Sequence, residues 1–217
     1  MNDPKPGFIG RAVERKEDYR FLTGNGQYTD DISQPNQSYA FFLRSPHAHA
    51  RIRGINIDAA LKAPGVLGVY TGKDFRDVGG LPCGWLINNI DGTPMKEPKH
   101  AVLADGKVNY VGDHVALVVA DTLHQARDAA GLIDVDYDVL PAVVDTATAD
   151  KAPAAVHDIA PDNVCYVWGC GDKAATDAAF AKAAHVTKLE FINNRLIPNA
   201  IEPRAANAVY SRADDSY

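Results

Sequence analysis

The 217-residue sequence predicts a small α+β or α/β domain followed by a second, shorter unit. Three features carry that expectation. Residues 115–139 read as strand, helix and strand in succession. Residues 38–44 and 51–57 are two β-forming runs close together in the chain. Residues 145–158 are rich in Ala, Asp and Pro, the composition of a linker crossing to another unit.

The elements follow in chain order. Arg15-Lys16-Glu17-Asp18 is a charged, solvated run. Gly24-Asn25-Gly26 makes positive φ cheap and predicts a tight turn, after which residues 27–32 read as a short extended piece. Tyr39, Phe41, Phe42 and Leu43 follow the polar turn Gln34-Pro35-Asn36-Gln37, so residues 38–44 form a strand. Ile52, Ile55 and Ile57 are interleaved with Arg51, Arg53 and Asn56, a second strand. The two are expected to pair across Ser45-Pro46-His47-Ala48-His49. Asp58 is placed to N-cap a short helix through Leu61, which Pro64-Gly65 stops. Residues 66–71 read as a strand and 73–75 as one helical turn.

Residues 79–100, with Cys83, Trp85 and Met95 scattered through them, form a long irregular loop of the functional, interfacial or mobile kind. Residues 108–111 read as a short strand ending at Gly112. The continuous apolar run 115–120 is a strand buried on both faces. Thr122 followed by Gln125 fits a capping box, and Leu123, Ala126, Ala129, Ala130 and Ile133 then fall at helical spacing. Ile133, Val135, Tyr137 and Val139 alternate with Asp134, Asp136 and Asp138, a half-buried strand. Asp172 caps a helix to about residue 184, with Ala175, Ala178, Ala179 and Phe180 towards the core. Residues 186–192 and 207–211 read as strands, and 212–216 as a turn.

Composition excludes several functions. The net charge is −6, with no basic stripe and no interleaved aromatics, so binding to a phosphate backbone lacks its main electrostatic source. Met1 to Gly7 has neither the apolar core nor the cleavage pattern of a signal peptide. The longest apolar stretch, 115–120, falls far short of the roughly 18 residues of a membrane span. Three cysteines, Cys83, Cys165 and Cys170, make an odd set whose spacing matches no common zinc knuckle. A soluble, cytoplasmic chain with reduced thiols is expected.

Candidate chemistry is sparse. His47 and His49 lie two apart, so an extended segment would aim both to one side, yet no third metal ligand is apparent. A loop pair satisfied by backbone or water is the favoured reading. Asp30-Asp31 and Asp214-Asp215 suit turns and caps, because adjacent strand residues face opposite ways. Gly24-Asn25-Gly26 and Gly169-Cys170-Gly171 complete neither a dinucleotide fingerprint nor a phosphate loop. The densest polar loop spans residues 193–206. There Glu202 lies between Ile201 and Pro203 with Arg195 and Arg204 nearby, and a carboxylate held between guanidiniums would form geometry-fixing pairs. A structural ion-pair loop is favoured over a catalytic one.

At that loop the chain resembles a known family. Asn194-Arg195-Leu196-Ile197-Pro198-Asn199-Ala200-Ile201-Glu202-Pro203-Arg204 is similar to the start of the molybdenum-binding region in large subunits of molybdenum hydroxylases, the xanthine dehydrogenase family. The likeness is greatest to the aerobic carbon monoxide dehydrogenase large-subunit branch. Upstream, residues 15–24 and Tyr28-Thr29-Asp30-Asp31 resemble the family's N-terminal signature. Ser45-Pro46-His47-Ala48-His49-Ala50-Arg51-Ile52 resembles the hairpin of its α/β hammerhead domain, and Pro64-Gly65-Val66, Val108-Asn109-Tyr110-Val111-Gly112 and residues 135–145 resemble further parts of that domain.

The resemblance implies an α/β hammerhead domain followed by the first elements of an incomplete α+β molybdenum-cofactor-binding domain. The implied bounds are an arm over 1–17, the hammerhead over 18–145, a linker over 146–162 and the start of the cofactor domain over 163–217. In the full enzyme it implies molybdopterin cytosine dinucleotide with molybdenum on this subunit. An iron–sulfur small subunit and an FAD medium subunit would be partners in a dimer of heterotrimers. The family's cofactor loops and glutamate base lie downstream of the matched region, so no catalytic, cofactor-binding or metal residue is assigned within residues 1–217. The expectation is an N-terminal fragment or split-gene product, inactive alone. The alternative is a non-catalytic hammerhead interaction module or split-subunit piece that docks onto partner subunits or onto the separately encoded remainder of the large subunit.

Overall fold

A computed structural model describes residues 12–194 and 196–217. Backbone packing groups residues 38–188 into one compact unit and residues 1–37 with 189–217 into another.

The larger unit holds eight strands. β1 (Tyr39–Arg44), β7 (His114–Ala120) and β3 (Val66–Thr71) form one antiparallel sheet with β7 in the middle. β6 (Lys107–Val108), β2 (Ala50–Asn56) and β8 (Asp134–Val139) form a second, with β2 central. β4 (Gly80–Leu81) and β5 (His100–Ala101) make a two-stranded ribbon at the ends of the irregular loop. The expected pairing of β1 with β2 therefore does not occur. Periodicity specifies a strand but not its neighbour, and the intervening segment leaves β1 by hydrogen-bonding elsewhere: the Ser45 N–H donates to the Asp113 carbonyl and the Gly112 N–H to the Ser45 carbonyl.

Two cores result. In the first, Val118 and Ala120 of β7 and Val69 of β3 pack against Ala60 of α2 (Asp58–Leu61) and Ala126, Ala129 and Ala130 of α3 (Leu123–Ala130). Phe41, Ile57 and Ile133 close its edges. In the second, Val115, Ala50, Ala104 and Val108 meet Ile52, Ile55, Val135 and Tyr137. β7 thus contributes to both cores, which is why it reads as apolar throughout. The alanine face of α3 lets the helix approach its sheet closely, since small side chains bring backbones together. Gly72 serves the same purpose: a Cβ there would collide with the Ala104 carbonyl.

Capping differs in detail from expectation. Thr122 Oγ1 accepts the Gln125 N–H at 3.2 Å, but the Gln125 side chain takes the Thr122 hydroxyl, not a backbone N–H, so half the capping box forms. Asp58 is the first residue of α2 and not its cap; the preceding Asn56 side chain accepts the Asp58 N–H. Of the expected 108–111 strand only Val108 lies in a ladder, as the second residue of β6. α4 (Lys173–Lys182) is capped by Asp172, whose carboxylate accepts the Ala175 N–H at 2.9 Å. Its expected core face is exposed throughout, Phe180 included.

In the smaller unit, α1 (Asp18–Leu22) ends in a turn with Gly24 at φ 75°. Residues 29–31 form a 3-10 turn where an extended piece was expected, because the Asp31 carboxylate accepts the Tyr28 N–H and folds the chain back. The strand expected at 207–211 is reduced to a single bridge between Ser211 and Ser216 around the 212–216 turn. Residues 186–192, which pass between the units in sequence, are not a strand. Their backbone meets no ladder among the described residues, and their apolar side chains are exposed.

Candidate functional site

The link between β1 and β2 is built by Ser45. Its hydroxyl accepts the His47 N–H at 3.0 Å and donates to the His47 carbonyl at 2.9 Å, bending the chain within two residues. The segment is bent, not extended, so His47 and His49 lose the alternation that would aim both one way. The His47 ring meets Tyr137 edge-on, with centroids 4.9 Å apart. His49 is buried and its Nδ1 lies 2.8 Å from the Pro141 carbonyl oxygen. A carbonyl only accepts, so Nδ1 carries the hydrogen and Nε2 is left without a partner among the described residues.

A cavity of about 590 Å³ opens among the residues that join β5, β6 and β7. His100, Lys107, Asn109, Tyr110, Asp113 and His157 line it. The His100 Nε2 and the Tyr110 hydroxyl are 3.2 Å apart, and the buried Asp113 carboxylate accepts the Asn109 N–H at 3.1 Å. Lys107 reaches the exposed Asp158 at 3.0 Å. Burial lowers the pKa of His157, helped by the positive charge of Lys107. His114 is lowered in the same way, by burial first and Arg44 second. Burial and then Asp113 raise the Tyr110 phenol. The wall therefore presents the neutral His157 imidazole and the protonated Tyr110 phenol at neutral pH. They can hydrogen-bond a polar group, but they supply no activated nucleophile.

Sequence reasoning gave His100, Asp113 and His157 no role, and named Tyr110 only within the resemblance at residues 108–112. No local spacing could have joined them, because the contact between these loops is made by the two sheets. Among the described residues no three His, Cys, Asp or Glu side chains converge to hold a metal ion. The thiols of Cys83, Cys165 and Cys170 are all free.

Glu202 belongs to the smaller unit. Its carboxylate accepts the Thr29 N–H at 3.1 Å and the Thr29 hydroxyl at 3.4 Å. Five residues on, the Asn207 amide donates to the Ile32 carbonyl at 2.9 Å. These bonds clip the 29–31 turn to the C-terminal segment. The expected guanidinium clamp is not what holds Glu202: Arg204 forms no ion pair with it, and Arg195 lies outside the described residues. Backbone N–H groups of a tight turn are fixed donors that need no long side chain to be ordered, so the turn satisfies the carboxylate instead.

Comparison with known proteins adds the following. Residues 23–141 match the model of the aldehyde oxidase and xanthine dehydrogenase a/b hammerhead domain, and residues 156–217 that of the molybdopterin cofactor-binding domain. The carbon monoxide dehydrogenase large chain of Hydrogenophaga pseudoflava is 38% identical over 200 residues, covering 86% of this chain and 24% of the relative. The nicotine 6-hydroxylase large subunit of Paenarthrobacter nicotinovorans is 34% identical over 208 residues, covering 95% of this chain and 25% of its own. Among solved structures, reconstituted CO dehydrogenase from Oligotropha carboxidovorans superposes with a TM-score of 0.66 at 36% identity, over 81% of this chain and 22% of that one. The chain spans about a quarter of the length of the curated relatives it matches. No helix among the described residues is long and apolar enough to cross a membrane.

Proposed function

Because the chain belongs to the aldehyde oxidase and xanthine dehydrogenase family of molybdenum hydroxylases, we propose that it is the N-terminal part of the large, molybdopterin-binding subunit of a cytoplasmic oxidoreductase. An activity such as that of aerobic carbon monoxide dehydrogenase is the model for it. In the full complex the substrate is hydroxylated with oxygen from water, and electrons leave through iron–sulfur clusters and FAD on two partner subunits, in a dimer of heterotrimers. One observation carries the reading: the hammerhead match over 23–141 is followed, in order and in one chain, by the cofactor-domain match over 156–217. The domain organisation that goes with this reading is an arm over 1–17, the hammerhead over 18–145, a linker over 146–162 and the opening of the cofactor domain over 163–217.

The residues present do not fit the cofactor by themselves. The described residues of the 163–217 segment offer one exposed helix, an extended stretch without a ladder and a small turn, and none of these forms a walled cradle. No converging donor set is available among the described residues. The role of this chain is therefore scaffolding: the hammerhead is a preformed platform, and the Glu202–Thr29 clip positions the strand-like segment that leads into the cofactor domain. Metal analysis of the purified 217-residue chain, expressed with molybdenum-cofactor synthesis active, tests this. Molybdenum below a few hundredths per chain is expected; one molybdenum per chain would overturn the proposal.

A further inference from the structure

The chain has two tryptophans, Trp85 and Trp168, and both are largely exposed, at 80% and 61%. Tryptophan is highly buried on average in folded chains, so two exposed ones in a small unit call for a physical reason. They lie on two segments tied together by main-chain bonds. The Ile90 N–H donates to the Val167 carbonyl at 2.8 Å, the Asn89 side chain accepts the Val167 N–H at 2.7 Å, and the Lys96 N–H reaches the Cys165 carbonyl at 2.8 Å. Ile90 also lies over Gly169, where a Cβ would collide with its side chain. The result is a braced ledge bearing Trp85, Leu86, Ile90, Val167 and Trp168, each more than half exposed.

We propose that this ledge is a docking surface for the remainder of the large-subunit polypeptide, an inference that rests on the family reading above. Three observations select that occupant. The ledge is nearly uncharged: residues 79–95 and 163–171 contain Asp91 as their one acidic or basic side chain. Its carboxylate is taken up by the Thr93 N–H and hydroxyl. A nucleic acid or an acidic protein would find nothing to pair with, whereas an apolar protein face would bury the aromatic anchors that dominate interfaces. Second, the ledge is composite, with residues 85–90 inside the hammerhead match and 165–169 inside the cofactor-domain match. The surface is thus continuous with the domain whose beginning this chain carries. Third, the relatives are about four times as long, which supplies enough chain to cover it.

The test uses residues 1–217 intact, once alone and once replacing the matching quarter of the Hydrogenophaga pseudoflava large chain. Hydroxyl-radical footprinting reads each tryptophan separately. Oxidation of Trp85 and Trp168 is expected to fall several-fold in the chimera relative to the isolated chain. The double variant W85S/W168S is expected to leave the melting temperature of the isolated chain unchanged while reducing recovery of molybdenum-loaded chimera. A chimera that loads molybdenum with both tryptophans as reactive as in the isolated chain overturns the ledge and leaves the family reading intact. A chimera that folds but takes up no molybdenum, when the parent does, overturns the family reading itself. Binding of the isolated chain to phosphatidylcholine vesicles, abolished by W85S/W168S, would assign the ledge to a membrane instead. Self-association of the chimera beyond that of the parent enzyme, abolished by W85S/W168S, would assign it to a second copy.

Discussion

The imidazole Nδ1 of His49 donates to the carbonyl oxygen of Pro141, 2.8 Å away and 92 positions further along the chain. With the Leu140 N–H donating to the His49 carbonyl at 2.9 Å, that bond fastens the start of β2 to the exit of β8 and gives His49 a structural use. Replacing His49 by Ala removes the Nδ1 donor and leaves a void where a buried imidazole stood, so a loss of about 0.5–3 kcal/mol in unfolding free energy is expected. Urea denaturation measures it. Zinc titration of the unmodified chain, followed by calorimetry, should show no stoichiometric binding that His47→Ala and His49→Ala abolish.

His114 and His157 both have lowered pKa values, chiefly through burial, so the folded state resists their protonation. The unfolded chain takes up these protons near the ordinary value of 6.5. The stabilisation is therefore complete above about pH 6.5 and is lost as the pH falls from there through the lower folded values. Denaturation midpoints measured from about pH 8 down to about pH 5 should decline over the acidic half of that range. The double variant His114→Gln, His157→Gln should flatten the decline; an unchanged slope would assign it to other groups.

Glu202 and Thr29 make a prediction that separates an acceptor from a charge. Glu202→Gln retains a side-chain oxygen for the Thr29 N–H, whereas Glu202→Ala removes it. Amide hydrogen exchange at Thr29 should accelerate in the Ala variant and stay near the parent rate in the Gln variant. Equal acceleration in both would show that the negative charge, not the acceptor, holds the turn.

The alanine face of α3 leaves no room for growth. Ala129 is fully buried between the helix and the sheet, so Ala129→Leu should destabilise the unit by about 1–3 kcal/mol through overpacking. The same substitution at exposed Ala178 of α4 should be nearly neutral. Thermal melts of the two variants provide the comparison.

These cases show what a linear reading can reach. α3 was legible because Thr122, Ala126, Ala129 and Ala130 carry cap and face within nine positions, and β8 because its Asp residues mark every second place. The pairing of β1 with β7, not β2, was hidden, because alternation is the same whichever edge a strand meets. Residues 186–192 alternate well enough for a strand, yet a ladder needs a neighbouring backbone, and the described residues offer none. The Glu202 loop was correctly singled out by its density of polar groups. Its partner, Thr29, lies 173 residues upstream, beyond any spacing rule. Likewise His100, Tyr110, Asp113 and His157 share a cavity only after both sheets have formed.

The central place of β7 has a consequence for how the protein is made. β1 pairs with it along its whole length, from Tyr39 opposite Ala120 to Arg44 opposite His114, across the intervening residues 45–113. At roughly 5–20 residues per second on the ribosome, the aromatic edge of β1 waits on the order of 3–14 s after its own synthesis before a partner emerges. During that interval Tyr39, Phe41 and Phe42 are a nascent-chain liability, open to chaperones and to other copies on the same polysome. Ribosome pausing within residues 45–113 would lengthen the exposure, and synonymous codons there should affect soluble yield without touching the finished fold.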